Sequence, residues 1–404
     1  MTNPNPQQLF GPEMLADPYP FYRRLRETHP VFRVAELDAW IVTSYESVNA
    51  ALRNPQLSSD RFPRLRQRLA SRGLDSLAED RVRSMIHMDP PDHTRLRGLV
   101  NKAFTPKTVE AMAGHIQEII DSLLDVVKSR GRMDIIEDFA YPLPVTVIAE
   151  MLGVPAEDRA RFKHWSDEVS VVLGGDVAAL SESALRRATT AREELADYFK
   201  EIVRQRRKNP GPDLISALTQ AEEEGGKLSE DELYSTVVLL LVAGNETTTN
   251  LIGNGMLALL RHPEEMQKAW DSPSRVPTAV EEMLRFDSPV QLTTRMAKTD
   301  LEIQGTKIQK GDWLYLVVGA ANRDPAQFPE PDRFDVTRIE NKHIAFGAGA
   351  HFCLGAPLAR LEAQIAVRAL RDHFPTLRVG EEKIEYRNNF NLRGLKSLPV
   401  IFEL

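Results

Sequence analysis

Residues 345–360, AFGAGAHFCLGAPLAR, place the only cysteine of the 404-residue chain between a glycine-rich loop and a helical pattern. Apolar residues then recur at helical spacing, at Leu354, Leu358, Leu361, Ile365 and Ala369. A helix is therefore predicted to begin near Cys353, with Pro357 in its first turn, where the missing N–H costs little. A sulfur at a helix N-terminus faces unpaired N–H groups and the positive end of the dipole, and both favour the thiolate.

Three simple interpretations of this segment compete. A phosphate-binding loop is poorly supported, because GAGAHF lacks the third glycine of the dinucleotide pattern and no lysine follows as in a P-loop. A cysteine nucleophile stays open, although His351, two residues before Cys353, is no evidence of a catalytic pair. A buried structural cysteine is the plainest alternative. It leaves the surrounding phenylalanine, histidine and glycines unexplained.

The full pattern, FGxGxHxCxG from Phe346 to Gly355, closely resembles the cysteine segment of the cytochrome P-450 family of haem-thiolate monooxygenases. The resemblance implies a bound haem b, iron protoporphyrin IX, whose iron takes Cys353 as its axial ligand. It also implies that Phe346 packs beside the sulfur and that His351 reaches a haem propionate. Three further matches extend the resemblance across essentially the whole chain.

The first match is EEMLR, in which Glu282 and Arg285 share one helical face. Such a pair taken alone is usually a solvated salt bridge. In the family it joins a downstream arginine, matched here by Arg333 in FPEPDRF, in a buried network that supports the haem loop. The resemblance therefore gives these three residues a structural role.

The second match is VAGNETTT, in the middle of the most apolar helical segment of the chain. A Glu-Thr pair there is costly unless it is hydrogen-bonded or functional, and it could simply face another helix. Ala243 and Gly244 leave room for an oxygen molecule, and Thr247 can bond the carbonyl of Ala243 and open the helix. The resemblance implies that Glu246 and Thr247 deliver protons during oxygen reduction.

The third match is MDPPDHTRLRGLVNKAF, where His93 and Arg97 share a helical face. Two such groups are usually surface charge. The resemblance assigns both, together with Arg295 in QLTTRMA, to the haem carboxylates, which charge-assisted hydrogen bonds hold strongly.

Composition excludes several other classes of protein. Apolar residues make up 42% of the chain, as in ordinary globular proteins, and 58 acids against 51 bases give a net charge of −7, so nucleic acid is not expected as a partner. One cysteine excludes a disulfide framework and a cysteine-rich zinc or iron–sulfur site. The N-terminus lacks a signal-peptide core, and the longest apolar run, Val237 to Gly244, is far shorter than the ~20 residues of a membrane span. We expect a soluble, cytoplasmic monomer without a membrane anchor.

The predicted fold class is mainly α with small β-sheets, in one domain over residues 1–404. VFRVAELDAWIVTSY (31–45) predicts a hairpin, LEIQGTKI, DWLYLVV and LPVIFEL predict later strands, and residues 221–232 predict a polar loop. Most of the chain to residue 286 has helical periodicity, with one predicted stripe at Val109, Met112, Ile116, Ile119, Leu123 and Val126. The resemblance implies the cytochrome P-450 fold, a triangular helical domain that holds haem between the distal long helix and the proximal cysteine segment.

The implied reaction hydroxylates or epoxidises a hydrophobic small molecule with O₂. Two electrons must come from NAD(P)H through a ferredoxin or flavodoxin and its reductase, because the chain is too short to carry a reductase. The resemblance implies a substrate pocket lined by Val242, Ala243, Val290, Leu292 and Leu392. All five are apolar, which suits a fatty acid, terpenoid, steroid or polyketide. A peroxide-driven hydroxylase, an isomerase of the same fold and a haem sensor are the alternatives.

Substrate access and electron-donor docking are predicted from less specific features. Residues 60–86 and 166–188 are expected to control access, with Gly174-Gly175 as a lid hinge. A chain at −7 repels an acidic ferredoxin unless basic residues gather locally, so Arg360 and, by the resemblance, Lys102 are predicted to dock the donor.

Overall fold

The computed structural model describes residues 11–74, 84–174, 180–223 and 229–403. Its contacts divide the chain into two compact units. The first unit comprises Met1–Ser58, Met112–Leu143 and Thr247–Leu404, and the second comprises Ser59–Ala111 and Pro144–Glu246. One domain over residues 1–404 therefore stays a prediction. No helix in the described ranges is both long enough and apolar enough to cross a membrane.

Helices dominate both units, as the sequence predicts. The α-helices of the described residues are Pro12–Ala16, Tyr19–Thr28, Tyr45–Arg53, Phe62–Ala70, Asp92–Ala103, Pro106–Ala111, Ala113–Lys128, Pro142–Met151, Arg159–Gly174, Glu182–Lys208, Leu214–Glu223, Glu230–Arg261, Pro263–Asp271, Val276–Phe286, Val318–Ala321 and Ala356–His373. Three of them are named below: the long helix (Glu230–Arg261), the Glu-Arg helix (Val276–Phe286) and the cysteine helix (Ala356–His373).

The first unit contains a five-stranded sheet in the order β1-β2-β8-β5-β3. Its strands are β1 Val31–Val34, β2 Ala39–Val42, β3 Leu57–Ser58, β5 Thr293–Ala297 and β8 Trp313–Leu316. β1 and β2 pair antiparallel with Val31 opposite Val42, which confirms the predicted hairpin, and β2 runs parallel to β8. Val42, Leu314 and Leu316 are fully buried against the helix Tyr45–Arg53, so the apolar face of the sheet forms a core.

Two smaller sheets complete the strands. β6 Leu301–Ile303 and β7 Thr306–Ile308 form the hairpin predicted from LEIQGTKI. The second small sheet contains β4 Arg132–Asp134, β9 Arg378–Val379 and β10 Pro399–Ile401, with β10 as its central strand. β10 confirms the strand predicted from LPVIFEL at the end of the chain. The strand predicted from DWLYLVV ends at Leu316, because Val318 already begins a short helix whose Gly319 N–H donates to the carbonyl of Gln291.

The predicted stripe from Val109 to Val126 is partly wrong. The segment forms two helices, Pro106–Ala111 and Ala113–Lys128, and the second buries Ile116, Ile120, Leu124 and Val127. Val126 is 62% exposed. In SLLDVV several apolar residues are adjacent, so two stripes one residue apart fit the spacing, and only packing against the cysteine helix selects one.

The second unit is helical in its described part. Arg159–Gly174 packs along Glu182–Lys208, and Phe162, Trp165, Tyr198 and Phe199 form an aromatic cluster between the two helices. The loop predicted at residues 221–232 is too long at both ends, because residues 221–223 still belong to one helix and residue 230 begins the next. Gly175, and with it the predicted lid hinge, lies outside the described residues, as does part of the access segment 60–86.

Candidate active site

The cysteine loop, residues 344–355, is held by its own backbone. The N–H of Cys353 donates to the carbonyl of Phe346 at 2.9 Å, and a 3₁₀ turn at Gly349–His351 lies between them. The cysteine helix begins at Ala356, three residues after Cys353, with Pro357 in its first turn as predicted. Cys353 is half-buried. The thiol therefore lies at the start of a helix, where the dipole favours its ionised form.

Two glycines of the loop adopt a conformation that other residues rarely take. Gly347 and Gly349 both have φ of 72°. A Cβ on Gly349 would also lie 2.9 Å from the carbonyl oxygen of Leu52, so the loop approaches the helix Tyr45–Arg53 too closely for any side chain. The backbone of the loop therefore requires glycine at these two positions, whether or not a ligand is bound.

The Glu-Arg helix carries the predicted buried pair, and the structure confirms it. Arg285 donates through Nε and Nη2 to the two carboxylate oxygens of Glu282, both at 2.8 Å, and both side chains are fully buried. Three more hydrogen bonds from Arg285 reach backbone carbonyls of Asn322, Pro331 and Arg333. The pair therefore ties the helix to the segment that precedes the cysteine loop.

The downstream arginine was wrongly predicted. Arg333 gives only its backbone carbonyl to the network, while its side chain is 53% exposed and pairs with Glu330. The second cation at Glu282, besides Arg285, is Arg338, whose Nε lies 3.3 Å from Oε2 and whose side chain is 10% exposed. Both arginines lie on one turn-rich segment, and the direction of each side chain depends on how that segment folds.

The long helix carries the predicted Glu-Thr pair without a break. Ala243 is exposed and Thr247, one turn later, is half-buried, although the neighbouring residues Leu241, Val242 and Thr248 are buried. A Cβ added to Gly244 would meet no atom within 4 Å. Glu246 is buried. The helix thus leaves open space beside Ala243 and Gly244. It continues as an α-helix through Thr247, where the sequence predicts an opening.

Sequence reasoning missed one buried acid of the first unit. Glu362 of the cysteine helix is 2% exposed and is hydrogen-bonded by Thr248 of the long helix. Burial raises the pKa of Glu362 to about 8, and the bond from Thr248 only partly opposes this. The signal was present, because Glu362 lies one turn after Leu358 and three residues before Ile365 on the apolar stripe of that helix.

The predicted propionate ligands belong to both units. In the second unit His93 is buried and Arg97 half-buried on the helix Asp92–Ala103. Burial, and then the charge of Arg97, lower the pKa of His93, so its imidazole is a neutral donor at pH 7. In the first unit Arg295 of β5 is 4% exposed and donates to the carbonyl of Thr294 at 2.8 Å. His351 is half-buried in the cysteine loop.

The apolar pocket positions of the first unit lie close together. Val290 pairs with Leu392 through an isolated antiparallel bridge, and Val290, Leu292 and Leu392 are all half-buried. Three apolar side chains therefore remain partly exposed at one place, which suits an apolar ligand.

Arg360 was predicted to be a surface cation that docks the electron donor, but the structure pairs it with an acid. Its guanidinium forms a two-bond fork with the carboxylate of Glu281, at 2.7 and 2.8 Å. Its charge is therefore already balanced. The side chain of Lys102, the other predicted docking residue, is outside what the structure describes.

The residues present fit a flat iron-bearing group. A half-buried thiol at a helix start is a donor for a soft metal ion. Next to it, a Cβ on Gly355 would meet no atom within 4 Å, and open space also borders Ala243 and Gly244 on the long helix. A buried guanidinium at Arg295 suits a carboxylate-bearing edge.

Comparison with known proteins decides the family. The family model described as Cytochrome P-450 matches residues 9–271 and 276–400. The chain belongs to the cytochrome P-450 family. It is similar to the biotin biosynthesis cytochrome P-450 of Bacillus subtilis, at 42% identity over 97% of this chain and 98% of that protein. It is equally similar to 6-deoxyerythronolide B hydroxylase of Saccharopolyspora erythraea, at 43% identity over 95% and 96%.

Solved structures give the same family and confirm the fold class. A crystal structure of P-450 BioI in complex with hexadec-9Z-enoic acid ligated acyl carrier protein superposes with a TM-score of 0.89 at 41% identity, covering 97% of this chain and 99% of that one. This cytochrome P-450 is therefore a mainly α protein with small sheets and an oxidoreductase of the monooxygenase class, and proteins of its family bind haem as cofactor.

Proposed function

We propose that this cytochrome P-450 hydroxylates or epoxidises a hydrophobic small molecule with O₂ and electrons from NAD(P)H. The observation that carries the proposal is the middle of the long helix, where Ala243 is exposed beside Glu246 and Thr247. An acid and an alcohol next to open space are what proton delivery to a small reacting molecule requires. The chain acts in this proposal as one monooxygenase domain.

The proposed cofactor is haem. Cys353 is the proposed iron ligand, Phe346 would pack beside its sulfur, and Ala243 would contact the group. The proposed partners of its carboxylates are His93, Arg97, Arg295 and His351. Haem with a thiolate ligand supplies the chemistry that activates O₂.

The protein's own contribution to the reaction is the movement of protons. Thr247 is half-buried, and in this proposal its hydroxyl holds a water or the reacting oxygen by a hydrogen bond. Glu246, the adjacent buried acid, can return the proton that the hydroxyl donates. Apolar walls at Val290, Leu292 and Leu392 would exclude bulk water, so that protons reach the site by this route.

Thr247→Ala tests the proposed function. We expect the variant to bind haem and substrate normally, while product per NADH falls about tenfold and peroxide release rises, because protons arrive at the wrong time. The assay uses the fatty acid or macrolide that shifts the Soret band of the parent protein most strongly. Thr236→Ala is the matched control, since among the described residues the Thr236 hydroxyl of the same helix has no hydrogen-bond partner. Equal coupling in both variants would refute the role of Thr247.

The substrate class is proposed from the apolar pocket positions and from what the relatives act on. The names and complexes of the relatives mention biotin biosynthesis, 6-deoxyerythronolide B and a hexadec-9Z-enoic acid carried by an acyl carrier protein. A fatty acyl chain or a polyketide is therefore the first choice. Soret shifts with free hexadec-9Z-enoic acid and with the same acid on a carrier protein separate recognition of the chain from recognition of the carrier.

A ferredoxin or flavodoxin with its NAD(P)H-dependent reductase is the proposed electron source. A peroxide-driven hydroxylase is the second candidate, and the intact Glu246-Thr247 pair argues against it. Product formation with NADH, ferredoxin and reductase, compared with peroxide alone, distinguishes the two.

A further inference from the structure

One carboxylate outside the predicted site connects three parts of the first unit. Glu281 of the Glu-Arg helix accepts two hydrogen bonds from Arg360 of the cysteine helix, from Nε at 2.7 Å and from Nη2 at 2.8 Å. It also contacts His343, just before the cysteine loop, with Nε2 at 3.0 Å from Oε2. A bidentate fork is geometrically specific as well as strong.

The direction of the histidine bond follows from its other nitrogen. The backbone N–H of Ala345 donates to Nδ1 of His343 at 3.2 Å, so Nδ1 accepts and carries no proton. The neutral ring therefore has its proton on Nε2 and donates it to Glu281. Glu281 thus receives donors from residues on both sides of the cysteine loop, His343 before it and Arg360 after it.

Arg360 transmits this arrangement to the loop itself. Its guanidinium carbon lies 4.5 Å from the ring centroid of Phe346, and the ring of His343 lies 6.1 Å from the same centroid. Phe346 also accepts the backbone hydrogen bond from Cys353. The contacts therefore run from Glu281 through Arg360 and Phe346 to the sulfur-bearing residue.

The charges of this cluster balance. Burial by itself would raise the pKa of Glu281, but the hydrogen bonds from Arg360 and His343 lower it to about 2. Glu281 is therefore ionised throughout the neutral range and neutralises Arg360. Without Glu281, the guanidinium of Arg360 would lie over the ring of Phe346 with its charge unbalanced.

We propose that Glu281 is a positioning residue for Cys353. Its carboxylate fixes Arg360 and His343 and thereby holds Phe346, and it cancels the positive charge that would otherwise act on the sulfur and the haem iron. The inference depends on the proposed assignment of Cys353 as iron ligand.

The test compares Glu281→Gln with Arg360→Gln in the haem-loaded protein. Glu281→Gln removes a negative charge, so the midpoint potential of the haem should rise, whereas Arg360→Gln removes a positive charge, so it should fall. In both variants the red-shifted Soret band of the reduced carbon monoxide complex should disappear about tenfold faster in mild urea, because Phe346 has lost its support. Glu340→Gln, an 83% exposed acid with one long ion pair, is the control for charge alone.

The outcomes separate the possibilities. Equal potentials and equal band loss in Glu281→Gln and Glu340→Gln would overturn the proposal, and so would potentials that shift in the same direction in the two variants of the pair. If Glu281→Gln fails to bind haem, the midpoint potential of Arg360→Gln decides: a lower potential than the parent's supports the proposal, and an unchanged or higher one overturns it. Cys353→Ser tests the underlying assignment separately: an unchanged red-shifted band in that variant would refute thiolate ligation itself.

Discussion

At the scale of single residues, Glu362 makes stability depend on pH in an unusual direction. Its pKa is raised from the ordinary 4.5 to about 8, so between these values the folded protein keeps a proton that the unfolded chain has lost. The contribution of Glu362 to the free energy of unfolding should therefore be greatest below pH 4.5 and should decrease as the pH rises to about 8. The shift corresponds to a loss on the order of 5 kcal/mol.

Glu362→Gln removes this dependence, because the amide cannot ionise. We expect the variant to melt at a higher temperature than the parent at pH 8.5, and the difference should shrink towards pH 5. Melting temperatures at several pH values measure it. Glu381→Gln, on the exposed surface, serves as control and should follow the parent at every pH. A difference between Glu362→Gln and parent that does not change with pH would contradict the buried neutral acid.

At the scale of elements, hydrogen bonds and ion pairs of Glu282 and Arg285 join the Glu-Arg helix to the segment before the cysteine loop. The sequence predicts Arg333 as the second arginine of this network, but the structure has Arg338 there. Arg338→Ala should lower the free energy of unfolding by about 3 kcal/mol, because it leaves the fully buried carboxylate of Glu282 with one cation fewer. Arg333→Ala should change it by less than about 0.5 kcal/mol, since its backbone carbonyl, which bonds Arg285, remains. Urea unfolding of the two variants side by side is the measurement, and the reverse order of effects would contradict the network.

The long helix shows a different relation between sequence and structure. Its pattern predicts a buried apolar helix, and most of it is buried, yet Ala243 is exposed in the middle. The exposure is a property of what surrounds the helix, since alanine at that position is compatible with either environment. The sequence nevertheless predicts a functional role for this turn, because a Glu-Thr pair in so apolar a segment requires an explanation.

At the scale of the whole molecule, the net charge of −7 opposes the approach of an acidic electron donor. We expect Lys102→Glu to slow reduction by an acidic ferredoxin about two- to fivefold at low ionic strength, and to weaken the dependence of the rate on salt. Dithionite reduction should not change. Arg360 is left intact in this variant, because its fork with Glu281 would confuse docking with disturbance of the cysteine loop. Stopped-flow rates across a salt series provide the test.

Lys208→Glu is the control for net charge, since it makes the same change at an exposed residue at the end of the helix Glu182–Lys208. Equal rates and salt slopes in the two variants would mean that the donor senses overall charge only. A slower rate in Lys102→Glu alone would locate the docking surface near that residue.

The sequence by itself determined the family, the fold class, the helix after Cys353 and the hairpins, because each depends on local chemistry. Glycines are required where φ is positive, proline is tolerated in a first helical turn, and alternating apolar residues between polar turns specify strands. The pairing of Glu282 with Arg285 was predictable for the same reason, since residues three apart on a helix are neighbours.

Only the tertiary structure decided which arginine reaches Glu282, which of two adjacent stripes Ala113–Lys128 buries, and that Glu281 and Glu362 have partners far away in sequence. In each case the local pattern allowed more than one solution. The choice depends on contacts between segments that are tens of residues apart, such as Glu281 with Arg360 and Thr248 with Glu362. The direction and burial of these side chains depend on how the segments pack together, and the periodicity of the sequence does not predict that packing.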